Sequence, residues 1–258
     1  DVYKRQILGL AMLAARKLMT TVSDSRVDDD PLRLPSAEIE QPVGGDVFDG
    51  IRTVFSSNYL LGIVGYMLLY TITATILYFQ QAEIVEVSFS DRAVRTVFFA
   101  RIDLAVNILT ALTQIFFTGR IVRRIGIALA LATLPLVCVF GFAALGVAPT
   151  LTAIAIFQIL RRSSNYAIAR PCREMLYTVI PRSAKYKAKN FIDTFVYRFG
   201  DQVGAWSYAG LGTLGLGAAS ISLVATPLAA VWMVIGLWLG GRQKKMATSP
   251  QAPETHPD

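Results

Sequence analysis

Arg161 and Arg162 stand side by side about ten residues into an apolar run that begins at Thr150. A guanidinium is a planar fork of donors that suits phosphate or carboxylate. In hydrocarbon such a charge costs at least ~2.5–3.5 kcal/mol, so it faces a cavity or a partner. With ~1.5 Å of rise per residue, the pair falls near the midplane of a membrane helix starting at Thr150. Adjacent helical side chains point about 100° apart, so the two cannot share one partner equally. One then faces a cavity, and the other an internal carboxylate or the interface. Gln158, Arg162 and Asn165 share a face, flanked by Tyr166.

Two other apolar runs carry polar groups at helical spacing. In one, Asp103, Asn107, Thr110 and Gln114 form a stripe, with Arg101 near the end where its side chain can reach the headgroups. In the other, Asp193, Tyr197 and Asp201 recur every four residues, with Arg198 and Gln202 on the adjoining face. Arg198 and Asp201 are placed to pair along the helix. Trp206 and Tyr208 suit either stacking on a flat solute or packing. The binding candidates are therefore Asp103, Asn107, Gln114, Arg161, Arg162, Asn165, Tyr166, Tyr197, Arg198, Asp201 and Gln202. The competing reading is structural: interhelical hydrogen bonds, and an ion pair from the arginines to Asp103 or Asp201.

The elements that must position these residues are long apolar runs. The chain has 258 residues, 53% hydrophobic and 17% charged, with a mean hydropathy of +0.48. Soluble domains average about a quarter charged, so the composition is that of a membrane protein. Six runs reach the ~20 residues that a helix needs to cross a bilayer: Tyr59–Phe79, Val97–Thr118, Gly126–Val147, Thr150–Ala169, Asn190–Leu214 and Ala218–Gly240. The links Ala148–Pro149 and Gly215–Gly217 are short enough to imply antiparallel hairpins. The expected fold class is all-α, a polytopic membrane protein with a six-helix transmembrane bundle over 58–241. No Met opens the chain, and residues 1–20, with the short run Ile7–Ala15, are expected to be the end of a truncated preceding helix. Residues 21–57 read as a cytoplasmic linker, with an interfacial helix near 46–57 presenting Val47, Ile51, Val54 and Phe55. Residues 242–258 read as a disordered tail.

Charge sets orientation. Arg120, Arg123 and Arg124 follow the second run, Arg170 to Lys189 follow the fourth, and Arg242, Lys244 and Lys245 follow the last. By the positive-inside rule both ends lie in the cytoplasm, and the host is the cell's inner (plasma) membrane. The net charge of +7 thus reports topology. No basic stripe with stacking aromatics supports a nucleic-acid partner. Cys138 and Cys172 form no metal-ligand or disulfide pattern, and the lone His256 lies in the tail. No cofactor, metal or catalytic residue is assigned. Gly210, Gly212 and Gly215 match G-x-G-x-x-G, but without a preceding strand or downstream acid they signal a tight turn or helix crossing.

The run GRIVRRIG (Gly119–Gly126), with six spans and both ends inside, resembles half of a major facilitator transporter. The resemblance implies the C-terminal half, with a missing N-terminal six-helix half as partner. A narrower stretch resembles the ATP:ADP antiporter family of plastids and intracellular bacteria, whose members carry K-E-x-A-Y, then K-x-K-G-K-A-A-I-D, then R-x-G-K. Here Arg173-Glu174-Met175-Leu176-Tyr177 is followed by Lys185, Lys187, Lys189, Ile192 and Asp193 in register, then by Arg198 and Gly200. Ala188 replaces a glycine, Asn190 and Phe191 replace alanines, and Asp201 stands where a lysine is usual. The resemblance implies a carrier in the lipid bilayer that moves a small anionic solute by alternating access, with nucleotide exchange as the narrowest form. A carrier for another solute and a non-transporting sensor or anchor are the alternatives. A membrane enzyme lacks a visible nucleophile–base set.

Overall fold

The computed structural model describes residues 47–248, and every regular element among them is helical. The expectations for the run Ile7–Ala15, for residues 21–46 and for the tail from 249 with His256 lie outside the described residues. In chain order the helices are α1 (Val47–Phe55), α2 (Asn58–Ser88), α3 (Arg92–Phe116), α4 (Thr118–Val147), α5 (Leu151–Ser164), α6 (Arg170–Leu176), α7 (Arg182–Phe191), α8 (Tyr197–Thr213) and α9 (Ala218–Thr248). A π-turn, Asn165–Ala169, joins α5 to α6, and a second, Ile192–Val196, joins α7 to α8. α9 continues past Gly240, where its apolar run ends, to Thr248.

Helices α2, α3, α4 and α9 are long and apolar enough to cross a membrane. Length and apolarity thus support four crossings, not the six expected. The fourth and fifth apolar runs are helical, but each has a π-turn at one end and carries charge. The α-helical pieces are only 14 residues in α5 and 17 in α8. α4 is itself broken at Gly126, whose φ of 77° only glycine adopts without strain. The break separates the basic turns carrying Arg120, Arg123 and Arg124 from the apolar span.

Packing is tightest where α2, α4 and α9 meet. Tyr66 of α2 meets the buried Trp232 of α9 edge-on, with centroids 5.4 Å apart. The Tyr66 hydroxyl donates to the Leu131 carbonyl of α4 at 3.0 Å. Gln80 of α2 donates from Nε2 to Ser222 Oγ of α9 at 2.8 Å. These bonds fix helices in an apolar setting where lipid and side chain are equally greasy.

α8 crosses α2 through Gly200 and Gly204, spaced four apart. A Cβ on Gly204 would lie 3.1 Å from Ile72 Cα. The crossing therefore uses this pair, while the glycines of the G-x-G-x-x-G string close the helix. Gly215 has φ 78°, and the amides of Gly215 and Leu216 donate to Gly212 and Leu211, a Schellman ending.

The two short links behave differently. α4 and α5 pack together, with Phe142 edge-on to Phe157 at 5.1 Å. α8 packs chiefly on α2 while α9 packs chiefly on α4 and secondarily on α2, and an apolar cleft of about 560 Å³ lined by Ile72, Leu211 and Ile221 lies between α8 and α9. α1 forms within the expected 46–57 segment and packs on α7, burying Val54 and leaving Phe55 exposed.

Candidate functional site

Thr150 starts α5, its Oγ1 accepting from the Ala153 amide at 3.2 Å. From Leu151 through Leu176 the helical backbone is continuous, interrupted only by the first π-turn. A π-turn inserts a residue and leaves a carbonyl short of its helical donor, and such turns concentrate at functional sites. Here the exposed carbonyls are met from outside. Gln114 Nε2 donates to Tyr166 O at 3.2 Å, and Thr118 Oγ1 donates to Ala167 O at 2.8 Å.

A cavity of about 760 Å³ opens between α2, α3, α5 and α8. Of the sequence candidates, Asp103, Arg161, Arg162, Asn165, Tyr166, Tyr197 and Asp201 line it. Arg162 Nη1 meets Asp103 Oδ1 at 2.5 Å, and both side chains remain partly exposed at 36% and 56%. Asp201 Oδ1 accepts from Thr75 Oγ1 at 3.3 Å. Gln158 donates to Gln81 of α2 across the wall.

Arg161 differs from its neighbour. It is 7% exposed, and its Nε and Nη2 have no hydrogen-bond partner. Its guanidinium carbon lies 5.7 Å from the Tyr70 ring centre. A buried, unpaired guanidinium is costly unless an anion or water meets it. Arg161 lines the cavity wall from behind: its unpartnered nitrogens are buried, and its guanidinium also interacts with the buried Cys138 thiol of α4.

Four candidates stand apart from this cavity. Gln114 is used in holding the π-turn. Asn107, Arg198 and Gln202 are exposed and do not line this cavity. Arg198 makes no ion pair with Asp201. Tyr208 donates to Glu83 Oε2 at 2.5 Å and stacks on Phe79 at 5.2 Å, while Trp206 is 65% exposed. Those aromatics brace helices or face outward.

Sequence reasoning missed a second, smaller cavity of about 340 Å³ that shares Tyr70, Asn165, Tyr166 and Tyr197 with the first. Its floor includes Arg170, Arg173, Glu174 and Tyr177, on the basic end of the fourth run. Arg173 Nη2 donates to Asn165 Oδ1 at 3.4 Å, Nη1 reaches Met67 Sδ at 3.3 Å, and the guanidinium lies 4.8 Å from the Tyr70 ring. Asn165 Nδ2 in turn donates to the Tyr70 hydroxyl at 3.1 Å. Lys189 Nζ pairs with Glu174 Oε2 at 2.6 Å and lies 5.8 Å from the Tyr177 ring. Burial raises the pKa of the Tyr177 hydroxyl above the ordinary tyrosine range. Arg173, Glu174 and Tyr177 had a sequence signal in the motif string. Tyr70, a tyrosine inside an apolar run, had none.

Among the described residues, no group of three or more His, Cys, Asp or Glu gathers to hold a metal. Cys138 and Cys172 are free and buried. What the arrangement offers is charge inside a helical bundle: two adjacent arginines in the wall of a cavity that several helices share.

These features define an integral membrane protein with a polar interior. Relatives place it further. The chain is similar to ADP,ATP carrier protein 1 of Chlamydia muridarum, 30% identical over 159 residues, covering 54% of this chain and 30% of the relative. It is also similar to the proteins of that name in Chlamydia pneumoniae, 26% identical over 161 residues, and Chlamydia trachomatis, 27% over 160 residues. In those two the match covers 53% of this chain and 31% and 30% of the relative. The chain thus spans under a third of the length of the curated relatives it matches. No family model and no solved structure matches it.

Proposed function

We propose that this chain forms part of a membrane carrier that moves a small anionic solute by alternating access, with the larger cavity as its solute site. The observation that carries the reading is a pair of adjacent arginines in the wall of one cavity between helices, Arg162 held by Asp103 and Arg161 buried with two nitrogens left without a partner. Arg162 is the second cation, held by Asp103 until an anion competes for it. Two adjacent guanidinium groups in a low-dielectric chamber suit phosphate or carboxylate. Adenine nucleotides are the first solutes to try, because the similar chlamydial proteins are named ADP,ATP carriers. The wider architecture is that of a major-facilitator-type carrier, with two further crossings through α5–α6 and α7–α8 and both ends cytoplasmic.

One observation favours a non-nucleotide solute. Asp201 places a carboxylate in the cavity wall, which repels a polyphosphate and suits a solute with fewer negative charges.

The test is counterflow in proteoliposomes, with labelled ATP, ADP and a panel of organic anions. Arg161→Gln lowers uptake by about ten- to a hundredfold, the range expected for a lost charge-assisted contact, while the protein stays monodisperse. Unchanged uptake removes Arg161 from the site. Binding without flux favours a sensor.

A further inference from the structure

We infer that Tyr70 and Asn165, held by Arg173, form the partition between two chambers of one solute path. This deepens the carrier reading and rests on it.

The larger and smaller cavities meet only where Tyr70, Asn165, Tyr166 and Tyr197 line both. A wall shared by two chambers is either a fixed septum or a door, and the bonding here is that of a door. Tyr70 is 8% exposed, and its hydroxyl accepts from Asn165 Nδ2 at 3.1 Å. Asn165 Oδ1 accepts in turn from Arg173 Nη2 at 3.4 Å, a long contact. Guanidinium groups from both chambers lie against the Tyr70 ring: Arg161, lining the larger, and Arg173, lining the smaller. Cation–ring attraction is modest when exposed and stronger when desolvated. An anion that engages Arg161 or Arg173 therefore competes with the ring for the same charge. Binding on either side weakens what holds the tyrosine in place.

The hinge is local. Asn165 is the first residue of the π-turn, where the helix carries an extra residue. The next two carbonyls of the turn, on Tyr166 and Ala167, are held by Gln114 of α3 and Thr118 of α4. The side chain of Asn165 reaches the other way, to α2 and to Arg173. Tyr70 and Asn165 are accordingly positioning residues: they fix which chamber communicates with which side of the bilayer.

The experiment reads sidedness with no solute. Ala74→Cys places a thiol in the larger cavity and Glu174→Cys one in the smaller, in the complete protein reconstituted in sealed vesicles. Cys138 and Cys172 are buried, and the unsubstituted protein gives the background. A membrane-impermeant thiol reagent is applied to either face. The expected result is that each thiol is labelled from its own face alone. Adding Tyr70→Ala or Asn165→Ala then lets the reagent cross to Ala74→Cys from the Glu174 side, about ten-fold faster or more, as a minor open state becomes the major one. Tyr70→Phe keeps the ring and loses the hydroxyl, and gives an intermediate rate. It guards against loss of fold, because its cavity filling is unchanged. Equal labelling of Ala74→Cys from both faces in the parent overturns the partition. So do unchanged rates in both Tyr70→Phe and Asn165→Ala. Correct sidedness without anion flux leaves the partition standing and removes the carrier assignment instead.

Discussion

One helix, α2, serves two regions of opposite character. Toward α4 and α9 it presents Tyr66, whose ring meets Trp232 and whose hydroxyl is spent on Leu131. One turn on, toward α5 and α8, it presents Tyr70, Thr75 and Gln81, which border open space. At the seam the Tyr66 hydroxyl and the Gln80 amide nitrogen of α2 serve other helices. At the wall, charged groups are left partly unsatisfied around about 760 Å³. The difference separates stability from recognition: the seam holds the bundle, and the wall holds charge ready for something else.

Substitutions test that division. The largest effect is expected at the seam: Trp232→Ala empties a fully buried site and costs ~3–5 kcal/mol, read as a fall in thermal unfolding in detergent. Next is Gly204→Val at the α2–α8 crossing. It forces the helices apart at ~1–3 kcal/mol, read by the same melt and by loss of monodispersity. At the wall the order of effects reverses. Asp103→Asn frees Arg162 from a partly exposed pair and changes stability by about 1 kcal/mol or less. Its effect is instead on transport, where the apparent KM for an anion falls. An Asp103→Asn protein that melts as sharply as Trp232→Ala would erase the distinction between the two regions. Glu174→Gln sits at the small end. It breaks an exposed pair with Lys189 for about 0.5 kcal/mol or less, at the limit of a melting measurement.

Much of the seam was legible. Apolar runs of bilayer length announce helices whatever their neighbours do, and α2, α3, α4 and α9 formed where the runs lay. The fourth and fifth runs were legible as helices but not as helices carrying a π-turn. A π-turn depends on which side chains from other helices can satisfy its carbonyls, and Gln114 and Thr118 lie far from it in sequence. For the same reason the polar stripe on α3 divided. Asp103 reached Arg162, Gln114 took a backbone carbonyl, and Asn107 stayed exposed. Spacing places residues on a face but does not say how far the neighbouring helix extends along it. Arg161 and Arg162 were found because charge in an apolar run is conspicuous. Tyr70 was not, since a tyrosine there looks like any packing residue.

The helical run from Leu151 to Leu176, interrupted only by the π-turn, has a mechanical consequence. Arg161 and Arg173 ride on the same rod, one facing each chamber. Any tilt or roll that widens the space around one must carry the other along, so the two mouths are geared together. Under the carrier reading, mutual exclusion of the two mouths needs no relay between distant parts, because both arginines sit on one helical run with the π-turn near its middle.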